Sequence, residues 1–207
     1  MSKTQLILIA VAILAGIGIY FLPHQPSQEE KPDFSLVDFQ LLVDTEKNKF
    51  DEEQKKDLKA LESAAEKTNY EAITSFCRRL NNPLLAGYWQ NKKAKKQNTA
   101  ENWKLAGEDF YKAVQFAHDT SKQLIMQNAI FSFLNALKLD STDLKLKTKL
   151  GICYVEAGAE PMKGIGLLRE VVSKDSMNIE AQLNLGFFSL TSAQFDKAIA
   201  RFKIFMP

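Results

Sequence analysis

After Lys122 the chain returns to one pattern every 35 residues, and that period decides more about its fold than any other feature. Residues 129–141 align with residues 164–176, pairing Ile130 with Ile165, Phe133 with Leu168 and Asp140-Ser141 with Asp175-Ser176. The segments Lys149-Leu150-Gly151 and Asn184-Leu185-Gly186 stand 35 apart as well. Ala198-Ile199 with Phe202 then gives the Ala129-Ile130 and Phe133 pattern again. Two antiparallel helices of about 13 residues, with two short turns, use up about 34 residues. No such hairpin buries its apolar stripe alone, so neighbours must stack into a solenoid. Gly151 and Gly186 are expected where two helices cross closely, and Gly158 and Ala193 near the turn inside each hairpin. Phe133, Leu168 and Phe202 are expected to fill the space between hairpins. Asp140-Ser141 and Asp175-Ser176 mark the joints, where short polar side chains bond local amides.

Helical periodicity also runs through the residues before the repeats, without strand-like alternation. A helix over 51–67 would carry Leu58, Leu61, Ala64 and Ala65 on one stripe, and one over 70–80 Tyr70, Ile73, Phe76, Cys77 and Leu80. Asn81-Asn82-Pro83 breaks the chain before a short helix over 84–95, and a longer helix is expected over 100–118.

The first residues follow a different rule. Leu6 to Leu22 is a run of 17 residues without a charge. As a helix it covers about 26 Å, enough for the hydrocarbon layer with some adjustment at its ends. Tyr20 and Phe21 suit the headgroup region, and Pro23 and Pro26 end the helix. A cleaved leader would need small residues after the run, where Tyr20-Phe21-Leu22-Pro23 has none. No cysteine follows to carry a lipid, and a core helix would not begin so near the start of the chain. The run therefore reads as an uncleaved single-pass anchor. Lys3 and the amino terminus precede it while Glu29, Glu30, Lys31 and Asp33 follow, which places the large C-terminal part outside the cytoplasm. In a bacterium that is an inner-membrane protein facing the periplasm. The expected organisation is a short cytoplasmic start at 1–5, the anchor at 6–22, a proline-rich tether at 23–34, a leading helical region at 35–98 and repeats over 99–207.

Charge and chemistry-bearing residues narrow the function. Lysine and arginine number 27 against 25 acidic residues, so no nucleic-acid attraction is expected. The one compact basic run, Lys92, Lys93, Lys95 and Lys96, reads as a solvated face or loop. Cys77 and Cys153 lie far apart in apolar stretches and read as buried small hydrophobes, and His24 and His118 suggest no metal site. Phosphate-loop and dinucleotide fingerprints and the nucleophile elbow are all missing, and Gly164-Ile165-Gly166 lacks a preceding strand. Neither an enzyme nor a cofactor is expected.

The repeats resemble the tetratricopeptide repeat family. Leu150, Gly151, Tyr154 and Gly158 fit the first half of one repeat, and Gly164 and Leu168 its second half after one inserted residue within 159–162. Leu185, Gly186, Phe195, Ala198 and Phe202 fit the next. Ala129, Phe133, Ala136 and Asp140 fit the second helix of the preceding repeat, whose first helix, about 103–118, looks degenerate. Ser141 and Ser176 stand where the family usually has proline. The match covers about 129–205 and extends weakly back through Tyr70-Glu71-Ala72-Ile73 to residue 51. With its anchor, the chain resembles small bacterial membrane-anchored members of that family.

The resemblance implies an all-α superhelix of antiparallel hairpins behind one transmembrane helix, and a concave surface lined by the first helix of each hairpin. By family position, that surface carries Lys145, Thr148, Lys149, Ile152 and Val155, then Glu180, Leu183, Asn184, Phe187 and Leu190. An extended peptide would pair an acidic group with Lys145 and Lys149, bond Asn184 and pack on Phe187 or Leu183; the same lysines also suit a merely solvated helix. The family's carboxylate-clamp pattern is incomplete here and is not assigned. The last hairpin lacks a polar cap, leaving Phe188, Phe195, Ile199, Phe202 and Phe205 at an apolar end; either a partner or second copy covers it, or the last repeat is incomplete in a shortened chain. The expected function is a scaffold for a protein or peptide partner; the alternative is a structural protein that self-associates through this end.

Overall fold

Polar caps start most of the helices in the computed structural model, which describes residues 36–66, 69–158 and 160–205. The expected cytoplasmic start, membrane span and tether lie outside the described residues. Among the described residues, no helix is long and apolar enough to cross a membrane. Ten α-helices occur there in sequence: α1 Leu36–Asn48, α2 Glu52–Glu66, α3 Tyr70–Arg79, α4 Pro83–Lys96, α5 Ala100–Val114, α6 Asp119–Leu139, α7 Leu144–Ala157, α8 Pro161–Lys174, α9 Ile179–Thr191 and α10 Phe195–Phe202. A 3-10 turn, Lys203–Phe205, follows α10.

The caps repeat with the sequence. Asp143 accepts a hydrogen bond from the Leu146 amide at 2.9 Å and Asn178 one from Ala181 at 3.0 Å, satisfying a backbone donor that the first helical turn leaves free. Their backbones are nearly superposable, at φ −65 and ψ 100 against φ −63 and ψ 98. The residues ending the preceding helices match as closely: Asp140 has φ −136 and ψ 91, Asp175 φ −135 and ψ 90. Both aspartates accept from the amide two residues on, Thr142 and Met177, as the joint requires. Inside the hairpins Gly158 turns the chain at φ 71 and Ala193 at φ 56, a left-handed conformation that suits glycine and strains alanine.

Successive helices pack on one another from α2 onward, while α1 lies against α4 and α6. The main core runs from Val43 in α1 to Tyr154 in α7, and a smaller one joins Ile152, Leu168, Val171, Ala181 and Leu185 of α7, α8 and α9. The expected close crossings are present. A methyl group on Gly151 would stand 2.9 Å from Leu168 Cγ, and one on Gly186 would stand 2.5 Å from Phe202 Cε1. Phe133, Leu168 and Phe202 therefore lie inside their own hairpins, each opposite a glycine of the first helix, rather than between hairpins as the repeat alone suggested. The third such pair is Gly107 with Phe133, at 2.5 Å from the ring for an added methyl.

That pair corrects the reading of residues 103–118. The first helix is regular, with Trp103, Ala106 and Gly107 buried, and it stops at Val114 instead of 118. The irregular partner is α6, 21 residues long and opened by His118, which shifts the glycine out of the 35-residue register. Helix α1 had no separate forecast; its Phe39 ring meets Phe110 edge-on at 5.8 Å.

Candidate binding groove

The first helices of three successive hairpins are α5, α7 and α9, and polar rungs join the first two. Lys104 Nζ lies 3.2 Å from Asp143 Oδ2, and Lys149 Nζ lies 3.5 Å from Glu108 Oε1. The Tyr111 hydroxyl donates to Glu156 Oε1 at 3.2 Å. Lys104, Glu108 and Tyr111 fall at i, i+4 and i+7 on α5, and Lys149 and Glu156 at i and i+7 on α7, so one face of each helix supplies the rungs.

Burial sets the electrostatics of this seam. It pushes the Glu156 carboxyl above its ordinary range, against the pull of the Tyr111 hydroxyl and the Lys122 charge. It pushes the Tyr111 phenol up too, helped by the nearby charges of Glu156 and Glu180. Burial also opposes ionisation of Asp143, but the Leu146 amide and Lys104 outweigh it and hold the carboxyl low. Tyr111 packs partly against both cores.

Not all the residues expected on the concave surface are free for a partner. Thr148 is buried, with its hydroxyl donating to the Leu144 carbonyl at 2.9 Å, and Ile152 belongs to the smaller core. Both point inward because α8 covers that side of α7. Lys149 is half-buried on Glu108, and Val155 faces the α8 crossing at Gly164. Lys145 and Glu180 are exposed, and Leu183 and Asn184 are half-buried. The Asn184 amide donates to the Glu180 carbonyl at 2.8 Å, leaving its oxygen for another donor. Phe187 is 54% exposed and Leu190 41%. The residues missing from the sequence reading are Glu108, Tyr111 and Glu156; Leu105-Ala106-Gly107, which parallels Lys149-Leu150-Gly151, was the available signal that α5 is a first helix.

The C-terminal hairpin divides in the same way. Phe195 and Ile199 are 59% and 49% exposed. Phe188 packs on the smaller core, Phe202 fills the notch at Gly186 with its ring 5.5 Å from that of Phe187, and Phe205 is half-buried in the 3-10 turn. A polar substitution at Phe202 would therefore injure the hairpin itself.

Other reactive groups are structural. Asp109 is buried and accepts three bonds from the Arg78 guanidinium, one from Nη2 at 2.7 Å and two from Nε at 3.1 and 3.3 Å, tying α3 to α5. Both thiols are buried, and burial pushes Cys77 and Cys153 up to about 12, the reverse of what a nucleophile needs. Lys93 of the basic run pairs with Glu71 at 2.7 Å, and Lys92 sits 4.6 Å from the Tyr88 and Trp89 ring centroids.

Solved structures of MamA, a tetratricopeptide-repeat protein, share this architecture. One crystal structure is 20% identical with a TM-score of 0.55, covering 70% of this chain and 82% of that one. A second is 19% identical with a TM-score of 0.55, covering 81% and 87%. A double mutant of MamA is 16% identical with a TM-score of 0.54, covering 80% and 89%. No family model matches the chain, and no curated protein does. At these identities the likeness establishes the fold, a stack of helical hairpins of the tetratricopeptide-repeat type.

Proposed function

We propose that this chain is a noncatalytic scaffold that binds a protein or peptide along α5, α7 and α9, held by residues 6–22 at a bacterial inner membrane with its repeats in the periplasm. The carrying observation is the pairing of a bonded seam with open contacts. The rungs between α5 and α7 fix the helices, while Phe187 and Leu190 stay exposed beside Glu180 and Asn184. Large rings held exposed on a fixed surface suit an apolar anchor residue of a partner. Lys145, exposed at the start of α7, adds a charge for an acidic group. The likeness to MamA supports protein binding through its fold. A second reading rests on Phe195 and Ile199, whose exposure at the end of the stack suits contact with another copy.

A photoreactive residue at position 187, and separately at 199, in the full chain in its native membranes tests both. Adducts from 187 that contain a different protein and vanish with Glu180→Lys support the scaffold. Adducts from 199 that contain a second copy support self-association. Crosslinks to neither would sink both readings. The anchor has its own check: removal of residues 1–22 should move the chain to the soluble fraction.

A further inference from the structure

A cleft of about 290 Å³ opens between α8, α9 and α10, near the lower end of the range for ligand sites, about 300–1,000 Å³. It shares no residue with the groove, so either reading can fail without the other.

Three cations line it: Arg169 from α8, and Lys197 and Arg201 from α10. Among the described residues, none of the three has a carboxylate partner. Lys197 donates to the Gln194 side-chain oxygen at 2.6 Å. Arg201 is seated instead by a neutral relay. Gln182 is buried, its amide donates to the Ser176 carbonyl at 2.9 Å, and its oxygen accepts from Arg201 Nη1. That relay fixes the guanidinium without neutralising it. Burial and the like charge of Arg169 both press on Arg201, yet its high intrinsic affinity for a proton keeps it cationic. The same cleft carries Ile165, Leu185, Phe188 and Ile204.

Two guanidinium groups, planar forks of donors, match the geometry of an oxyanion, and an incoming charge would relieve their mutual repulsion. Apolar walls in the same small space favour an anion attached to an apolar group over a bare, strongly hydrated one. From this we infer that the cleft is a site for a carboxylate carried on an apolar group, whether a free organic acid or an acidic side chain beside an apolar one in a peptide. The carboxylate lies between Arg169 and Arg201, with Lys197 at its edge, and the apolar group lies on Leu185 and Phe188.

Calorimetric titration of the full-length chain in nonionic detergent tests this, with phenylacetate as probe and phenylacetamide as its uncharged counterpart. Phenylacetate should bind at least tenfold more tightly than the amide. Arg169→Glu and Arg201→Gln should each weaken it at least tenfold, with unfolding midpoints checked alongside; Arg169 is exposed, so its replacement leaves the packing intact. A short peptide with adjacent Glu and Leu that binds more tightly than phenylacetate assigns the site to a protein partner, and one that binds less tightly assigns it to a free acid. Equal binding of acid and amide overturns the proposal. So does unchanged binding by a folded Arg169→Glu chain, or tighter binding of inorganic phosphate than of phenylacetate.

Discussion

A single methyl group tests the α7–α8 crossing. Added at Gly164, it would press on the backbone carbonyl oxygen of Gly151 and on Val155, and a carbonyl inside a helix cannot step aside. Gly164→Ala should cost about 1–3 kcal/mol despite the better helix propensity of alanine. The same change at Gly186 first meets the ring of Phe202, a half-buried side chain that gives way more easily than a backbone carbonyl, so it should cost less than Gly164→Ala. Urea midpoints of the two variants should separate in that order. Glu156 offers a test by pH. Its carboxyl is raised mainly by burial, so the folded chain holds its proton more tightly than the unfolded one does. Such a group subtracts stability as pH rises through its ordinary value of 4.5 and beyond. Glu156→Gln keeps an acceptor for Tyr111 and should stabilise the chain at pH 7, by less than about 1 kcal/mol because solvent screens this exposed side chain, and not below pH 4.5. A variant with equal gain at both pH values would refute the assignment.

At the scale of elements, the repeat reaches down to the caps. Asn178 caps α9 and bonds Asp175 within its own joint, whereas Asp143 caps α7 and pairs with Lys104 across the seam to α5. Asn178→Ala should cost about 1 kcal/mol, and Asp143→Ala more, up to about 2 kcal/mol. Because Asp143 is held low, its contribution is complete above its ordinary value of 3.8 and is lost as pH falls through the lower folded value. The Asp143→Ala penalty, measured by chemical unfolding, should therefore shrink in acid, while the Asn178→Ala penalty should not. Helix α1 shows a different economy of elements. It packs on α4 and α6, so its anchoring residues Phe39 and Val43 meet partners far along the chain.

The last described hairpin leaves Phe195 and Ile199 exposed, and two substitutions separate its packing from its exposure. Phe202→Ser empties the notch at Gly186 and should lower stability by about 2 kcal/mol in the monomer. Ile199→Lys changes an exposed side chain and should leave stability within about 0.5 kcal/mol. If copies associate through this end, sedimentation should show Ile199→Lys monomeric at concentrations where the native chain is not. Equal sedimentation of the two would remove self-association as a reading.

The period of 35 residues, its turns and its joints were legible in the sequence because each is a local device: a glycine at a crossing, an aspartate bonding the second amide onward, an apolar residue every third or fourth position. Those devices determined that the chain from residue 129 onward forms stacked hairpins, and the structure bears this out. Tertiary structure alone decided which positions on the first helices remain open. Thr148 and Ile152 share a helix with Lys145, but the α7–α8 crossing at Gly151 and Gly164 rotates them inward. Glu108, Tyr111 and Glu156 became a connected seam only because a long α6 still returns α5 to the side of α7. Helix phase and crossing are set by contacts between residues tens of positions apart, and no window along the chain contains both partners.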